Sequence, residues 1–277
     1  MTEHLTLMAV HAHPDDEALG TGGVLVRYAA EGIRTVLVTC TDGEFGDLPG
    51  GIKPDQPGHD PDEVVRIRRV ELDAAGRALG ISHLERLGYR DSGMMGWPQN
   101  EHPRAFWNTP VEKAADRLVA VFERYRPHVV VTYDDRGFYG HPDHIQTHRV
   151  TMRAVERTGI PRKVYETAVG LGDIRRMYER MQELGVAIDE ESQRDFDPEH
   201  PTVGVPDEQI TTRIDVADFL DAKREAIAAH ASQTENAWFV AMPPEMLKQF
   251  FSQEAFVRRI DHTGAPTPED DLFAGLR

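Results

Sequence analysis

Cysteine is almost missing from this chain: Cys40 is the only one among 277 residues. A single thiol excludes an intrachain disulfide and any cysteine-built zinc cluster. Cys40 ends the apolar run Val36-Leu37-Val38-Thr39 and reads as a small buried residue. Basic residues are also few, 31 against 47 acidic, for a net charge of −16 with histidine neutral. Such a surface repels nucleic acid and anionic membrane, and it argues against a basic groove tracking phosphates. No stretch approaches the ~18 consecutive apolar residues of a membrane span. Nor does the N-terminus show a basic segment leading into an apolar stretch and a small-residue cleavage site. The expectation is a soluble, cytoplasmic protein.

What is present is 40% apolar content, enough for a substantial core. Leu5 to Val10 reads as a short buried strand, followed by the polar run His11-Ala12-His13-Pro14-Asp15-Asp16-Glu17. A helix is predicted from there, since proline suits an early helical position and carboxylates favour the positive end of the dipole. Gly32 stops it, and Thr35 to Thr41 is the next strand. Strand, helix, strand at this spacing is a βαβ unit with parallel pairing. The alternation continues with helices at Asp62–Leu79 and 111–125, and a strand at His128–Tyr133. A helix at His144–Arg157 and a strand at Lys163–Ala168 follow, then a strand at Gln209–Ile214 and a helix at Val216–His230. The region beyond Pro243 resists assignment.

The predicted fold is one α/β domain over residues 1–277, Rossmann-like, with a largely parallel sheet and helices on both faces. Residues 170–277 are expected to be less regular and to contribute to the substrate pocket. Three long loops, Gly43–Pro61, Gly93–Pro110 and Asp189–Asp207, are candidates to shape a site. Gly20-Thr21-Gly22-Gly23 falls within or just after the first helical turns, so it does not read as a dinucleotide loop.

In open α/β sheets ligands gather outside the carboxyl ends of strands. Two clusters pairing imidazole with carboxylate sit at such ends, the run from His11 to Glu17 and Tyr139-Gly140-His141-Pro142-Asp143-His144. Zinc accepts both donor types, and a catalytic site needs three protein ligands with one position left open. We assign His13, Asp16 and His144 as ligands. Asp15 then stands beside the metal water as a base. His141, with Asp143 on its other ring nitrogen, could stabilise an oxyanion or protonate a leaving nitrogen. A carboxylate partner would raise the His141 pKa. Either cluster alone is more often a helix cap or a surface polar group; the pair after apolar strands is what points to chemistry. His11, His128 and His148 are taken as structural.

His13-Pro14-Asp15-Asp16-Glu17 together with His141-Pro142-Asp143-His144 resembles the two signature motifs of the PIG-L/LmbE-like deacetylases, zinc enzymes that hydrolyse N-acyl groups. The likeness continues through Thr41–Glu44, Arg68–Leu72, Gly88–Gly93 and His230–Gln233. The run is similar to the mycothiol-pathway deacetylase and the mycothiol S-conjugate amidase. This resemblance implies an N-acetyl group on a small sugar-like substrate such as an N-acetylglucosamine derivative. It also implies zinc at His13, Asp16 and His144, with Fe2+ fitting the same set. By it Asp15 is the general base, His141 assists at the oxyanion, Tyr139 polarises the scissile carbonyl, and Arg68 and Asp91 contact substrate. Arg68 has a plainer reading as a solvated helix charge beside Arg66 and Arg69. Amide cleavage in a bulkier thiol conjugate is the nearest alternative. A metal- and sugar-binding protein without turnover, and a nucleotide-binding α/β protein, are alternatives of other classes. Homo-oligomerisation is left open.

Overall fold

Strands β1 (Thr6–His11) and β4 (Val129–Thr132) are buried along their whole length, and β2 (Arg34–Thr41) at every position but its first. Continuous burial marks strands covered on both faces, the condition of a parallel sheet. The computed structural model describes residues 4–183 and 203–277. With β3 (His83–Tyr89), β5 (Lys163–Ala168), β6 (Thr212–Asp215) and β7 (Gln253–Asp261), the strands form one sheet in the order β3-β2-β1-β4-β5-β7-β6. Strands β1 to β5 run parallel, whereas β7 is antiparallel to both β5 and β6. The α/β, largely parallel expectation holds, with a mixed edge added.

Side chains of β1 alternate between two cores. Leu7 and Ala9 meet Leu25 and Tyr28 of α1 (Asp16–Ala30) and Leu72 of α2 (Pro61–Ala78). Met8 and Val10 face the other core, with Leu118 and Phe122 of α3 (Val111–Tyr125). A single kinked turn, α4 (Gly137–Gly140), leads into α5 (Pro142–Thr158), whose Val150 and Ala154 join that second core. The remaining α-helices among the described residues are α6 (Leu171–Glu183), α7 (Leu220–Ala229), α8 (Ala237–Ala241) and α9 (Pro244–Phe251). Among the described residues no helix is long and apolar enough to cross a membrane.

Several boundaries differ from expectation. Helix α1 begins only at Asp16, leaving Pro14 outside and Asp15 at the N-cap. The 216–230 segment opens with a 3-10 turn, Ala217–Phe219, before α7. Residues Asp207–Gln209 form a 3-10 turn, so β6 starts three positions late. Strands β3 and β7 were not anticipated. Both mix charges into their apolar pattern, and in β7 the buried Glu254 is satisfied at a distance by Gly23 N, Val24 N (2.8 Å each) and Lys223 Nζ (2.7 Å). Most of the Asp189–Asp207 loop lies outside the described residues.

Gly23 lies inside α1, where a Cβ would stand 2.7 Å from Cβ and Cγ2 of Val216, itself fully buried. Close helix approach, not phosphate binding, accounts for a glycine there. Gly23→Ala gains about 1 kcal/mol of helix propensity, but overpacking a site that cannot retreat costs about 1–3 kcal/mol. A net loss of stability is expected as a lower urea midpoint at unchanged slope; an equal or higher midpoint would show that Val216 yields.

Candidate metal centre and its carboxylates

The strand order places a switch point between β1 and β4, the crevice where doubly wound sheets collect ligands. His13, Asp15 and Asp16 leave from the end of β1, while His141 and His144 come from the N-terminus of α5, soon after β4. Pro142 occupies the first helical position of α5, and the His141 side chain caps the helix by accepting from Asp143 N at 3.1 Å. Tyr133 ties the two sides together. Its hydroxyl accepts from Ala12 N at 2.8 Å, and its ring stacks on His144 at 4.1 Å between centroids.

The three proposed ligands converge. The Asp16 carboxylate lies between two imidazoles, with Oδ2 3.3 Å from His13 Nδ1 and Oδ1 3.4 Å from His144 Nε2. His144 is 1% exposed, yet neither ring nitrogen has a hydrogen-bond partner. Buried polar atoms are rarely left unpaired, and an imidazole with its nitrogens free beside a carboxylate suits a metal ion. Nitrogens of His13, His141 and His144 also lie within 4.8 Å of one another, as do donors of His13, Asp91, His141 and Asp143. The buried carboxylates Asp91 and Asp143, with the partly buried Asp16, around these imidazoles call for positive charge at their centre.

Asp143 departs from the expected arrangement. Its carboxylate accepts from Ser92 N at 2.9 Å and from Ser92 Oγ, and Oδ2 stands 3.2 Å from His13 Nε2. Only its backbone amide reaches His141. Without a carboxylate on its ring, His141 does not show the raised pKa expected of it. Burial, with His13 and His144 nearby, holds it well below the ordinary histidine value. For Asp16, burial favours the neutral form, but the His144 and His13 imidazoles hold the carboxyl well below the usual range.

Asp15 is the carboxylate left without such partners. Burial pushes it up to about 6, against the pull of the Arg68 guanidinium. Its backbone has φ 122°, strained for a residue with a side chain, and its side chain makes no capping bond to α1. Arg68 is not a solvated helix charge. It is 4% exposed, its Nη2 contacts Asp15 Oδ1 at 3.1 Å and Pro14 O, and its Nη1 donates to Gly43 O at 2.9 Å. A Cβ on Gly43 would sit 2.3 Å from that Nη1.

Asp91 is buried 3.8 Å from His13 Nε2, with Oδ1 accepting from Gly93 N at 2.7 Å. Tyr139 is 43% exposed, its ring 5.0 Å from that of His144. His11, His128 and His148 bond elsewhere, to Thr21 Oγ1, Thr6 N and Tyr133 O respectively. Sequence reasoning missed Ser92, although it lies in a quoted segment, and gave no role to Glu17. The Glu17 carboxylate meets His230 Nε2 at 2.7 Å with both side chains fully buried. Burial opposes the His230 imidazolium, but Glu17 lifts its pKa above the ordinary value. Asn236, whose Nδ2 donates to Asp15 Oδ2 at 3.3 Å, had no sequence signal at all.

Comparison with known proteins identifies the family. The family model described as GlcNAc-PI de-N-acetylase (PIG-L) matches residues 8–155. The 1D-myo-inositol 2-acetamido-2-deoxy-alpha-D-glucopyranoside deacetylase of Acidothermus cellulolyticus is 42% identical, covering 98% of this chain and 95% of its own. The enzyme of that name from Salinispora arenicola is 41% identical, over 98% and 91%. Among solved structures, the N,N'-diacetylchitobiose deacetylase of Pyrococcus horikoshii aligns with TM-score 0.56 at 19% identity, over 91% of this chain and 83% of that one. GalB, the 4-carboxy-2-hydroxymuconate hydratase of Pseudomonas putida, aligns at 0.61 and 16%, over 92% and 96%. A hydratase on the same fold shows that architecture alone does not choose the reaction. By the family match and the near-full-length relatives, the chain belongs to the PIG-L family of de-N-acetylases.

Proposed function

We propose that this protein, a sugar de-N-acetylase, hydrolyses the N-acetyl amide of an N-acetylglucosamine joined to inositol, with zinc as its metal. One turn of chain carries the reading: His13-Pro14-Asp15-Asp16 places a carboxylate that caps nothing beside two donors of the cluster. The inositol-linked sugar is supported by relatives 42% and 41% identical over 98% of the chain. A substrate of this kind is small and water-soluble, and the reading places the enzyme in the cytoplasm.

His13, Asp16 and His144 would hold the ion. Zinc, when bound, supplies a Lewis acid for the amide oxygen and lowers the pKa of water toward neutrality. Fe2+ suits the same donors. Asp15 takes the proton of the attacking water, and burial strengthens it as a base by lifting its pKa toward the working pH. Arg68 keeps that carboxylate aimed, acting through Asp15 and not on the substrate. Tyr139, exposed beside His144, donates its hydroxyl to the scissile carbonyl.

His141 works as a neutral donor. Its Nδ1 is occupied as an acceptor from Asp143 N, so the ring proton sits on Nε2 and can be offered to the developing oxyanion. Asp143 and Asp91 orient His13 from its Nε2 side. Asp15 then returns its proton to the departing nitrogen, and acetate and a free amino sugar are released.

Two outcomes are expected. Zinc added to chelator-treated protein should raise its thermal midpoint, by the equivalent of about 2.7 kcal/mol at a hundredfold excess over Kd. His144→Ala should lose that response, and an undiminished zinc-dependent shift in the variant would remove His144 from the ligand set. Asp15→Ala should retain zinc by elemental analysis while acetate release from N-acetylglucosaminyl inositol falls about 10²–10⁴-fold. Near-normal turnover by that variant would show that the base is another group.

A further inference from the structure

The Asp15 side chain sits in an orientation that no capping bond to its own helix holds. An aspartate at an N-cap ordinarily accepts from an amide in the first turn, but the Asp15 side chain makes no such bond at φ 122° and ψ −27°. Its backbone amide donates instead to Glu17 Oε2 at 2.9 Å. The other oxygen of Glu17 meets His230 Nε2 at 2.7 Å, from the C-cap of α7, more than two hundred residues away in sequence.

The same distant segment also reaches the carboxylate, through Asn236 Nδ2 at 3.3 Å from Asp15 Oδ2. The segment is itself anchored. Ser232 N and Oγ donate to the two oxygens of Glu71 on α2 at 2.7 Å each, and Gln233 Nε2 donates to Asp47 O at 3.1 Å. Thus both the main chain and the side chain of Asp15 are held from residues 230–236.

We infer that His230, acting through Glu17, and Asn236, acting directly, are positioning residues that hold Asp15 in its strained, reactive orientation. The inference rests on Asp15 being the general base. Stability alone is a poor reason for such a pair, because desolvating two charges offsets most of what their attraction returns. Fixing a geometry is a better one: a displacement of about 1 Å at a reacting group can cost about 10²-fold in rate. Neither oxygen of Glu17 is left over for another task, and the pair is closed to solvent, so it cannot act on the substrate itself.

The test uses the zinc-loaded full chain and four variants, Glu17→Gln, His230→Gln, Asn236→Ala and Asp15→Asn, with each of the first three also combined with the last. Acetate release, zinc content and thermal midpoint are measured. Glu17→Gln keeps its shape but cannot accept from both Asp15 N and His230, so kcat should fall between about 10- and 10²-fold with KM and zinc content nearly unchanged. His230→Gln should fall less, since its amide can still donate to Glu17.

In the Asp15→Asn background none of the three should lower the residual rate further. Full kcat in folded Glu17→Gln and His230→Gln, or an equal fall with and without Asp15, would overturn the inference. Should the buried variants fail to fold, Asn236→Ala leaves the pair intact and decides by the same Asp15-dependent loss. Undiminished kcat in Asp15→Asn itself would instead remove the base on which the inference rests.

Discussion

The site depends on β1 pairing with β2 on one side and with β4 on the other. The chain leaves β1 through α1 toward β2 and β3, and returns through α3 to build β4 against the opposite edge. Loops leaving two adjacent strands toward opposite sides cannot close over each other, and the crevice between them is where the polar clusters meet. Tyr133 keeps that crevice from widening. It directly follows β4, yet it bonds the amide of Ala12 and stacks on His144, so it sets the separation of the two clusters from the middle. Its burial between His11 and His144 explains why an aromatic with a polar tip stands there.

Electrostatics then distinguishes carboxylates that look alike in sequence. Asp16 lies between imidazoles and is held ionised; Asp143 is spent on Ser92 and His13; Asp91 is bonded by Gly93 N and faces His13. Asp15 alone has a cation but no imidazole, and burial lifts it. Differences of surroundings within one short stretch thus separate the proposed ligand from the proposed base, a familiar way of running acid and base chemistry near neutrality. The same reasoning revises His141. Helix capping uses its Nδ1, which suits it to be a neutral hydrogen-bond donor and, in the proposed mechanism, leaves proton return to Asp15.

Much of this was legible because it is local. Alternating apolar strands and periodic helices announced the parallel sheet, and the two clusters that hold His13, Asp16 and His144 could be picked out from donor chemistry at strand ends. What stayed hidden depends on contacts across the chain. Strand β7 carries Glu254 and Arg258, charges that look wrong for a sheet until Gly23, Lys223 and Glu269 are seen to satisfy them. The Asp143 carboxylate turns toward Ser92 because an amide and a hydroxyl wait there, fifty-one positions upstream, and nothing in His-Pro-Asp-His foretells it. Arg68 looks like its neighbours Arg66 and Arg69, which are mostly exposed, and differs only because glycines at 43 and 46 clear a space for it.

Asp15 poses the remaining question of why a residue with a side chain occupies a backbone region that suits glycine. Glycine there would relieve strain on the order of 1–3 kcal/mol but would remove the carboxylate. A general base contributes about 10²–10⁴ in rate, equivalent to about 3–5 kcal/mol of barrier. The two quantities act on different things: the strain is borne by folding stability, the gain appears only in turnover. A large fold can carry such a penalty if the surroundings overdetermine the conformation, and Arg68, Glu17 and Asn236 do so from three directions. On the proposed mechanism the strain therefore sits where the reaction needs a carboxylate turned away from its own helix, its oxygens met by Arg68 and Asn236 rather than by the amides it would otherwise cap.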